Sequence, residues 1–179
     1  MTNNNLRVVE VVEYNPNWHI EFKEEAHKLR DILKDEIVEI HHIGSTSIPN
    51  MSAKPVIDIL LEVRDINAID YYNEKIQQIG YIPKGEYGIR NRRFFLKGEN
   101  DRTHHIHAFE TGDTEIKRHL NFRDYMINHP EEAEEYKNLK KDLAYKFKYD
   151  IDKYIEGKDA FIKNIDLKAK QEFTEGFMK

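Results

Sequence analysis

Cysteine is absent from this chain of 179 residues. The absence excludes disulfides, thiolate zinc sites, iron–sulfur clusters and cysteine nucleophiles, so any metal must be held by histidine, aspartate or glutamate. The chain also lacks an apolar run near the ~18 residues that a membrane span needs. Its beginning, Met1 to Arg7, is polar and has no apolar segment typical of a secretory signal. We therefore expect a cytoplasmic protein with no membrane association.

An excess of basic charge is missing as well. The chain has 28 lysines and arginines against 33 aspartates and glutamates, for a net charge of −5 at pH 7. Proteins that coat duplex nucleic acid usually present a basic excess, so that class is disfavoured, although a local basic pocket stays compatible with the total. Hydrophobic residues make up 39% of the chain, which is enough to build the core of one domain.

Hydrophobic periodicity predicts an N-terminal helix followed by strands. Apolar residues recur at helical spacing between Trp18 and Leu33, after Asn15 and Pro16, which are typical of a helix start. Short β-branched or alternating runs predict strands over residues 36–43, 56–63, 92–97 and 103–110.

The organisation changes after Gly112. We predict a single domain over residues 1–165, helical from about residue 113, with a C-terminal tail over residues 166–179. After Pro130 the chain has many acidic residues and lysines but none of its arginines. This composition predicts a solvated helical support and places phosphate chemistry upstream.

A loop of small polar residues joins the first two predicted strands. Gly44 allows a ligand to approach the backbone, and the hydroxyls of Ser45, Thr46 and Ser47, with free loop N–H groups, are suited to phosphate. Alternation then places Asp58 on the strand face that points away from the main core, and a carboxylate in an apolar strand is costly unless it is partnered. Asp58 either serves a ligand in an open cleft or caps a neighbouring backbone N–H.

Histidines recur in the last predicted strand. His105 and His107 share one strand face, with Cα atoms ~6–7 Å apart. Neutral imidazoles at that spacing can both bind one metal ion such as Zn or Mn. Alternatively, the two side chains contact phosphate, act as acid and base, or are only hydrogen-bonded within the sheet.

Basic residues flank the same strands. Lys54 precedes the second strand, and Arg92 and Arg93 lie where a loop becomes a strand. Two adjacent strand residues face opposite sides, so we expect one of the two arginines to reach the cleft, where a guanidinium is well suited to phosphate oxygens. Alternatively, each of these three residues is an ordinary charged residue on the protein surface.

Several motifs together resemble the GrpB family. Residues 42–49 (HIGSTSIP) and 53–59 (AKPVIDI) carry the strongest likeness. Other matching segments are residues 92–95 (RRFF), 103–107 (THHIH), 122–125 (FRDY) and 129–130 (HP), the last followed by Tyr136 and by Leu139 and Lys140. The likeness covers roughly residues 8 to 165. Gly44-Ser45 followed by Asp58 also resembles the signature of the nucleotidyltransferase fold.

The resemblance implies an α/β (α+β) fold: a nucleotidyltransferase-like mixed sheet with helices packed on one face and a C-terminal helical extension. In some bacteria the family's domain is joined to dephospho-CoA kinase, which implies a functional link to coenzyme A biosynthesis. In the nucleotidyltransferase fold a later strand beside the Asp strand often brings a third carboxylate. By analogy His105 or His107 occupies that place, so that Asp58, His105 and His107 together would hold a divalent Mg, Mn or Zn ion.

One position departs from the nucleotidyltransferase pattern. Active members usually have a second carboxylate two residues after the first, and that position is Leu60. Glu62 lies on the same strand face but ~13 Å from Asp58, too far to share one ion directly. The carboxylate pair of the usual two-metal scheme is therefore incomplete.

The leading hypothesis is a protein that binds a nucleotide or another phosphorylated small molecule, with metal-dependent nucleotidyl transfer as its reaction. Asp58, His105 and His107 are the expected catalytic and metal-binding residues. The expected phosphate-binding residues are Gly44, Ser45, Thr46, Ser47, Lys54, Arg92 and Arg93. Two alternatives stay open: a non-catalytic phosphate-ligand sensor or partner-binding module, and a His/Asp metal-dependent hydrolase.

Overall fold

A five-stranded mixed sheet organises the chain in the computed structural model, which describes residues 7–176. The helices are α1 (Asn17–Leu33), α2 (Asn73–Gln78), α3 (Thr114–Asn128), α4 (Pro130–Lys146) and α5 (Ile151–Glu175). The strands are β1 (Ile37–Ile43), β2 (Ile57–Val63), β3 (Tyr81–Pro83), β4 (Arg93–Lys97) and β5 (His104–Glu110). Short 3₁₀ segments lie at Lys34–Glu36, Ser45–Ser47 and Asn67–Tyr72.

The strand order is β1-β2-β5-β4-β3, and it confirms the predicted mixed sheet. Only the central pair, β2 and β5, is parallel, and the other pairs are antiparallel. In that central pair Asp58 lies opposite His105, and Leu60 lies opposite His107. The topology therefore places the Asp strand and the His strand side by side.

One face of the sheet is closed by α1. Ile57, Ile59 and Leu61 of β2 are buried on this face against Leu29 and Leu33 of the helix. Successive side chains alternate across a strand, so Asp58 and its neighbours at even positions point to the opposite face. The strand alternation predicted for β2 is thus observed.

The opposite face is only partly covered. Ile116 of α3 packs on Leu60 and Phe109 in a small apolar cluster. Helices therefore lie on both faces of the sheet, because the first helix of the C-terminal part turns back onto the face that α1 leaves free. The rest of that face, around Asp58, remains open to ligands.

The last helix is longer than the sequence predicted. The expected tail from residue 166 is instead a continuation of α5 to Glu175. Ala169 is fully buried and Phe173 packs against the same cluster as Ile165, because these residues extend the apolar stripe at helical spacing. Across the described part of the chain, none of the helices has the length and apolar character needed to cross a membrane.

A glycine sets how closely the last two helices approach. Gly157 of α5 faces Leu143 of α4, and a Cβ atom at position 157 would lie 2.5 Å from Leu143 Cδ2. Real Cβ atoms do not come so near, so any larger residue would separate the helices or force Leu143 to move.

The segment before β4 contains a strand that the sequence patterns did not predict. In the structure Tyr81–Pro83 forms the edge strand β3, paired with β4. A three-residue strand is too short to show a period, and Pro83 is tolerated because an edge strand does not need every N–H in the ladder.

A buried carboxylate ties α1 to this edge of the sheet. Glu25 is buried, and it accepts hydrogen bonds from Tyr81 Oη at 2.7 Å and Lys28 Nζ at 2.6 Å. Lys97 Nζ of β4 lies 3.2 Å from the same carboxylate. Burial opposes the charge on Glu25, yet these hydrogen bonds keep its pKa below the usual value.

We expect Tyr81→Phe to lower the free energy of unfolding by about 1.5–3 kcal/mol, because a buried charged acceptor loses one donor. Tyr71→Phe is the matched control, since Tyr71 is 89% exposed. Urea unfolding of the two variants makes the comparison, and equal losses would show that the Tyr81 hydroxyl does not stabilise Glu25.

Candidate functional site

Three predicted side chains converge on the open face of the sheet. Asp58 Oδ1 lies 3.0 Å from His107 Nε2 and 3.4 Å from His105 Nδ1. One ligand atom from each residue lies within 4.8 Å of those of the other two. The parallel register of β2 and β5 causes this arrangement, because it aligns Asp58 with His105 and leaves His107 two residues further on the same face.

The ionisation of these groups suits a cation. Burial opposes the charge on Asp58, but hydrogen bonds from His105 and His107 hold its pKa far below the usual range. Burial lowers the pKa of His105 and so favours its neutral imidazole. Metal ligation requires an ionised carboxylate and neutral imidazoles, and Asp58 and His105 meet this requirement.

Two arginines lie behind the histidines. Arg92 Nη1 is 3.4 Å from His107 Nδ1, and Arg102 Nη1 is 3.5 Å from His105 Nε2. Because a guanidinium only donates, these contacts direct the N–H of each imidazole toward Asp58. A neutral imidazole keeps one ring hydrogen, so a metal bound at the cluster would shift each hydrogen to the nitrogen that faces an arginine, and Arg92 and Arg102 would then have to turn away.

The two adjacent arginines face opposite sides, as expected. Arg92 is buried beside His107 and donates to the backbone oxygens of Glu86 and Tyr87. Arg93 lies on the α1 face and pairs with Asp70 at 2.7 Å. The structure therefore brings Arg92 to the histidine cluster but does not bring Arg93 to the cleft.

The loop between β1 and β2 touches the carboxylate directly. Gly44 has a φ of +71°, and a Cβ atom there would lie 2.7 Å from Asp58 Oδ2. Ser45 and Thr46 line the cavity beside Asp58. Ser47 does not, because its hydroxyl donates to the backbone oxygen of Gly44 at 2.5 Å.

A cavity of about 250 Å³ extends from the cluster. From the first part of the chain it is lined by Gly44, Ser45, Thr46, Ala53, Lys54, Val56, Asp58 and His105. From the C-terminal helices it is lined by Arg118, His119, Phe122, Tyr136, Lys140, Tyr154, Lys158 and Ile162. The helical part is therefore more than the solvated support that its composition predicted, since all three helices form one wall of the cavity.

Lys140 entered the sequence analysis only as part of the family likeness, and no role in the site was predicted for it. Only 1% of it is exposed, and its Nζ donates to Ser45 Oγ at 2.9 Å and to the backbone oxygen of Ser52. Burial lowers its pKa to about 6. A signal was present, because Tyr136 and Ala144, which are four residues away on either side, are both buried on the same helix face.

The fold and the cluster define a mixed α/β protein with a two-histidine, one-carboxylate centre beside a cationic cavity. The family described as GrpB protein matches residues 8–168. The chain belongs to the GrpB family.

Relatives from several bacteria agree with this assignment. UPF0157 protein YqkA of Bacillus subtilis is 52% identical over 165 residues, which are 92% of this chain and 48% of that protein. The chain thus spans about half the length of YqkA. Glutamate-rich protein GrpB of Alkalihalophilus pseudofirmus is 32% identical over 87% of this chain and 92% of its own length.

A crystal structure shares the fold. Conserved protein GrpB from Enterococcus faecalis matches with a TM-score of 0.89 and 45% sequence identity, over 92% of this chain and 99% of that one. A dephospho-CoA kinase of Mycolicibacterium paratuberculosis is a more distant relative, 22% identical over 90% of this chain and 46% of its own length.

We expect Gly44→Ala to lower the free energy of unfolding by at least ~1 kcal/mol more than Gly88→Ala. Both glycines have positive φ, which strains an alanine at either position, and the ψ of −174° at Gly44 adds strain because that combination is essentially restricted to glycine. Only at Gly44 does the new methyl group also collide with a side chain, Asp58, since nothing lies within 4 Å at Gly88. Chemical denaturation tests this, and equal losses would contradict the close contact.

A buried histidine fixes the other side of the loop. His42 stacks on Phe22 of α1 with ring centroids 4.8 Å apart, and its Nε2 lies 2.9 Å from Thr46 Oγ1. Burial, together with the nearby His19, lowers the pKa of His42 to about 4. The unfolded chain, in which a histidine titrates near 6.5, therefore binds a proton that the folded chain rejects.

This difference predicts loss of stability as the pH falls from about 6.5 toward 4. His42 alone contributes roughly 2 kcal/mol of loss between pH 7 and pH 4.5. In His42→Gln that part of the loss should disappear, while the exposed His27→Gln should behave like the wild type. Urea unfolding at both pH values measures the difference, and an unchanged pH dependence in His42→Gln would contradict it.

Proposed function

We propose that the chain binds a nucleotide or another phosphorylated small molecule with the help of a divalent metal. The convergence of Asp58, His105 and His107 beside the Gly44-Ser45 loop carries this proposal. The three side chains would hold Mg, Mn or Zn, and the cluster of nitrogen ligands favours the last two. The metal, when bound, would neutralise phosphate oxygens and draw charge from the phosphorus.

The chain's own groups would position the phosphate. Ser45 Oγ accepts a hydrogen bond from Lys140 Nζ, and both Gly44 and Ser45 line the cavity. Lys54 lines the same cavity, close to Asp58. Hydroxyl and ammonium groups are effective ligands for phosphate oxygens. Nucleotidyl transfer is the reaction that this arrangement supports best, in keeping with the resemblance of the loop and Asp58 to nucleotidyltransferases.

Leu60 favours a second candidate, a non-catalytic sensor of the same ligand. Its side chain is fully buried among Ile43, Phe109 and Ile116. The position that would carry a second carboxylate is therefore part of the core and not part of the cavity. A site limited to one ion lacks the paired clamp that stabilises both attacking and leaving oxygens.

We expect Mn²⁺ to bind the chelator-treated protein at one site, with Asp58→Asn and His107→Ala each weakening it at least ~tenfold, because each removes one of three ligands. Glu62→Gln is the matched control, since Glu62 shares the strand face with Asp58 but hydrogen-bonds Thr111 instead. Isothermal titration calorimetry measures the affinity. Equal binding by wild type and Asp58→Asn would remove the metal site.

A panel of ligands then separates the candidates. Nucleoside triphosphates, dephospho-CoA and coenzyme A should be tested by thermal shift with Mn²⁺, the latter two because a relative is named dephospho-CoA kinase. Incorporation of nucleotide into product would support the transferase, and binding without turnover would support the sensor. Release of inorganic phosphate without transfer would support a metal-dependent hydrolase. No shift with any phosphorylated compound would overturn the proposal.

A further inference from the structure

Three lysines from separate segments meet at the cavity. Lys54 precedes β2, Lys140 belongs to α4 and Lys158 belongs to α5, and all three line the same space as Asp58. The ammonium groups of Lys54 and Lys158 lie 5.5 and 4.5 Å from the centre of the Tyr154 ring. Lys140 Nζ lies 4.5 Å from the centre of the Tyr136 ring. Aromatic faces thus hold the three cations in place.

These lysines are not neutralised by the protein. Among residues 7–176, none of the three has a carboxylate oxygen within the 4.0 Å that defines an ion pair. The lysines that do pair with carboxylates are Lys28, Lys97, Lys137, Lys141, Lys153, Lys163 and Lys168. The nearest acid in the cavity, Asp58, is engaged by two histidines. Lys140 is buried, and Lys54 and Lys158 are half-buried. Amino groups drawn out of water without a carboxylate partner are costly, so this unpaired cluster points to an anion that the protein binds.

The electrostatics of the lysines agree with this cost. Burial lowers the pKa of Lys54 and of Lys158 to about 8, and that of Lys140 to about 6. Repulsion from Lys158 and Lys54 adds to the effect at Lys140. A bound anion would raise the pKa of each lysine again, because it supplies the opposite charge that favours the ammonium form.

We propose that Lys54, Lys140 and Lys158 form a second anion subsite, so that the ligand is an organic di- or triphosphate. One phosphoryl group lies at the Asp58, His105 and His107 cluster, and the next lie among the lysines. Ser45 stands between the two subsites, because it borders Asp58 through Gly44 and accepts a hydrogen bond from Lys140. The inference rests on the proposed function, since the cluster defines where the first phosphoryl group lies.

The size of the cavity fits a polyphosphate chain. Its volume of about 250 Å³ is below the range of about 300–1,000 Å³ that is usual for whole small-molecule ligands. A second cavity, of about 530 Å³, adjoins it and shares Lys54 and Val56 with it. The charged chain therefore occupies the first cavity, and the organic part of the ligand extends into the second.

Arg118 is not part of this subsite. Its guanidinium lines the cavity but pairs with Glu115 at 2.7 Å and with Asp166 at 3.3 Å. Its charge is already compensated within the protein, in contrast to that of the three lysines. The subsite thus consists of the unpaired cations only.

The test is a calorimetric titration with orthophosphate and tripolyphosphate, in a metal-free arm and in an arm where Mn²⁺ accompanies the phosphate. We expect wild-type protein to bind tripolyphosphate at least ~100-fold more tightly than orthophosphate, because only the longer chain reaches all three lysines. Lys158→Met should weaken tripolyphosphate at least ~tenfold in both arms, since it removes one charge-assisted contact. Lys163→Met should leave the tripolyphosphate affinity unchanged in both arms, because Lys163 lies on the same helix but is 73% exposed and paired with Asp159.

A second readout separates a binding role from a structural one. We expect the thermal midpoint of ligand-free Lys158→Met to rise, because an apolar side chain replaces a half-buried cation that has no carboxylate partner. A lower midpoint together with unchanged tripolyphosphate affinity would overturn the subsite. So would equal binding of orthophosphate and tripolyphosphate by the wild type.

The two proposals fail in different ways. If Asp58→Asn leaves the Mn²⁺ arm unchanged while Lys158→Met weakens both arms, the metal-assisted function is wrong and the lysine subsite stands alone. If Asp58→Asn weakens the Mn²⁺ arm and Lys158→Met has no effect in either arm, the subsite is wrong and the metal-assisted function stands.

Discussion

The pairing of β2 with β5 is the constraint on which the rest of the site depends. It is the only parallel pair in the sheet, and it sets Asp58 directly opposite His105. A shift of one residue would send the carboxylate and the imidazoles to opposite faces. The apolar residues of β2 pack against α1 and oppose such a shift, so the core on one face determines the chemistry on the other.

The second feature of the site is the balance of its charges. Asp58 is the only carboxylate in the lining of the cavity, and its charge is already engaged by two imidazoles. The lysines therefore contribute positive potential that the folded chain leaves uncompensated. In the proposed anion subsite, this uncompensated charge would lower stability in the absence of the anion.

Local sequence patterns predicted much of the fold, but of the cavity they predicted only the part that the strands and the loop between β1 and β2 form. The strand faces of Asp58, His105 and His107 follow from a period of two, which any sheet must obey. Alternation does not decide between Arg92 and Arg93. It predicts that the two side chains point to opposite faces of the sheet but not which of them points to the cleft. The short edge strand β3 was not predicted, because three residues show no period. The last turns of α5 were not predicted either, because Ala169 and Phe173 can be recognised as an apolar stripe only when the helices they pack against are known.

The contribution of the C-terminal helices could not be predicted from composition. Lys140 and Lys158 are two lysines among many on helices rich in lysine and glutamate, and their inward orientation depends on how α4 and α5 dock. Lys140 and Lys158 each lie four residues after a tyrosine, Tyr136 and Tyr154, and therefore on the same helix face. This spacing predicts that the lysines point inward only once the tyrosines are known to be buried. Docking is a long-range property, so it overrides the local pattern.

The close approach of α5 to α4 at Gly157 affects how the docked helices shape the cavity. Gly157 immediately precedes Lys158, and its missing side chain is what allows α5 to lie so near Leu143 of α4. How far Lys158 enters the cavity therefore depends on a residue outside the cavity lining. In the proposed anion subsite, a bulkier residue at position 157 would move α5 or Leu143 and so change the space for the anion without changing the lysines that bind it.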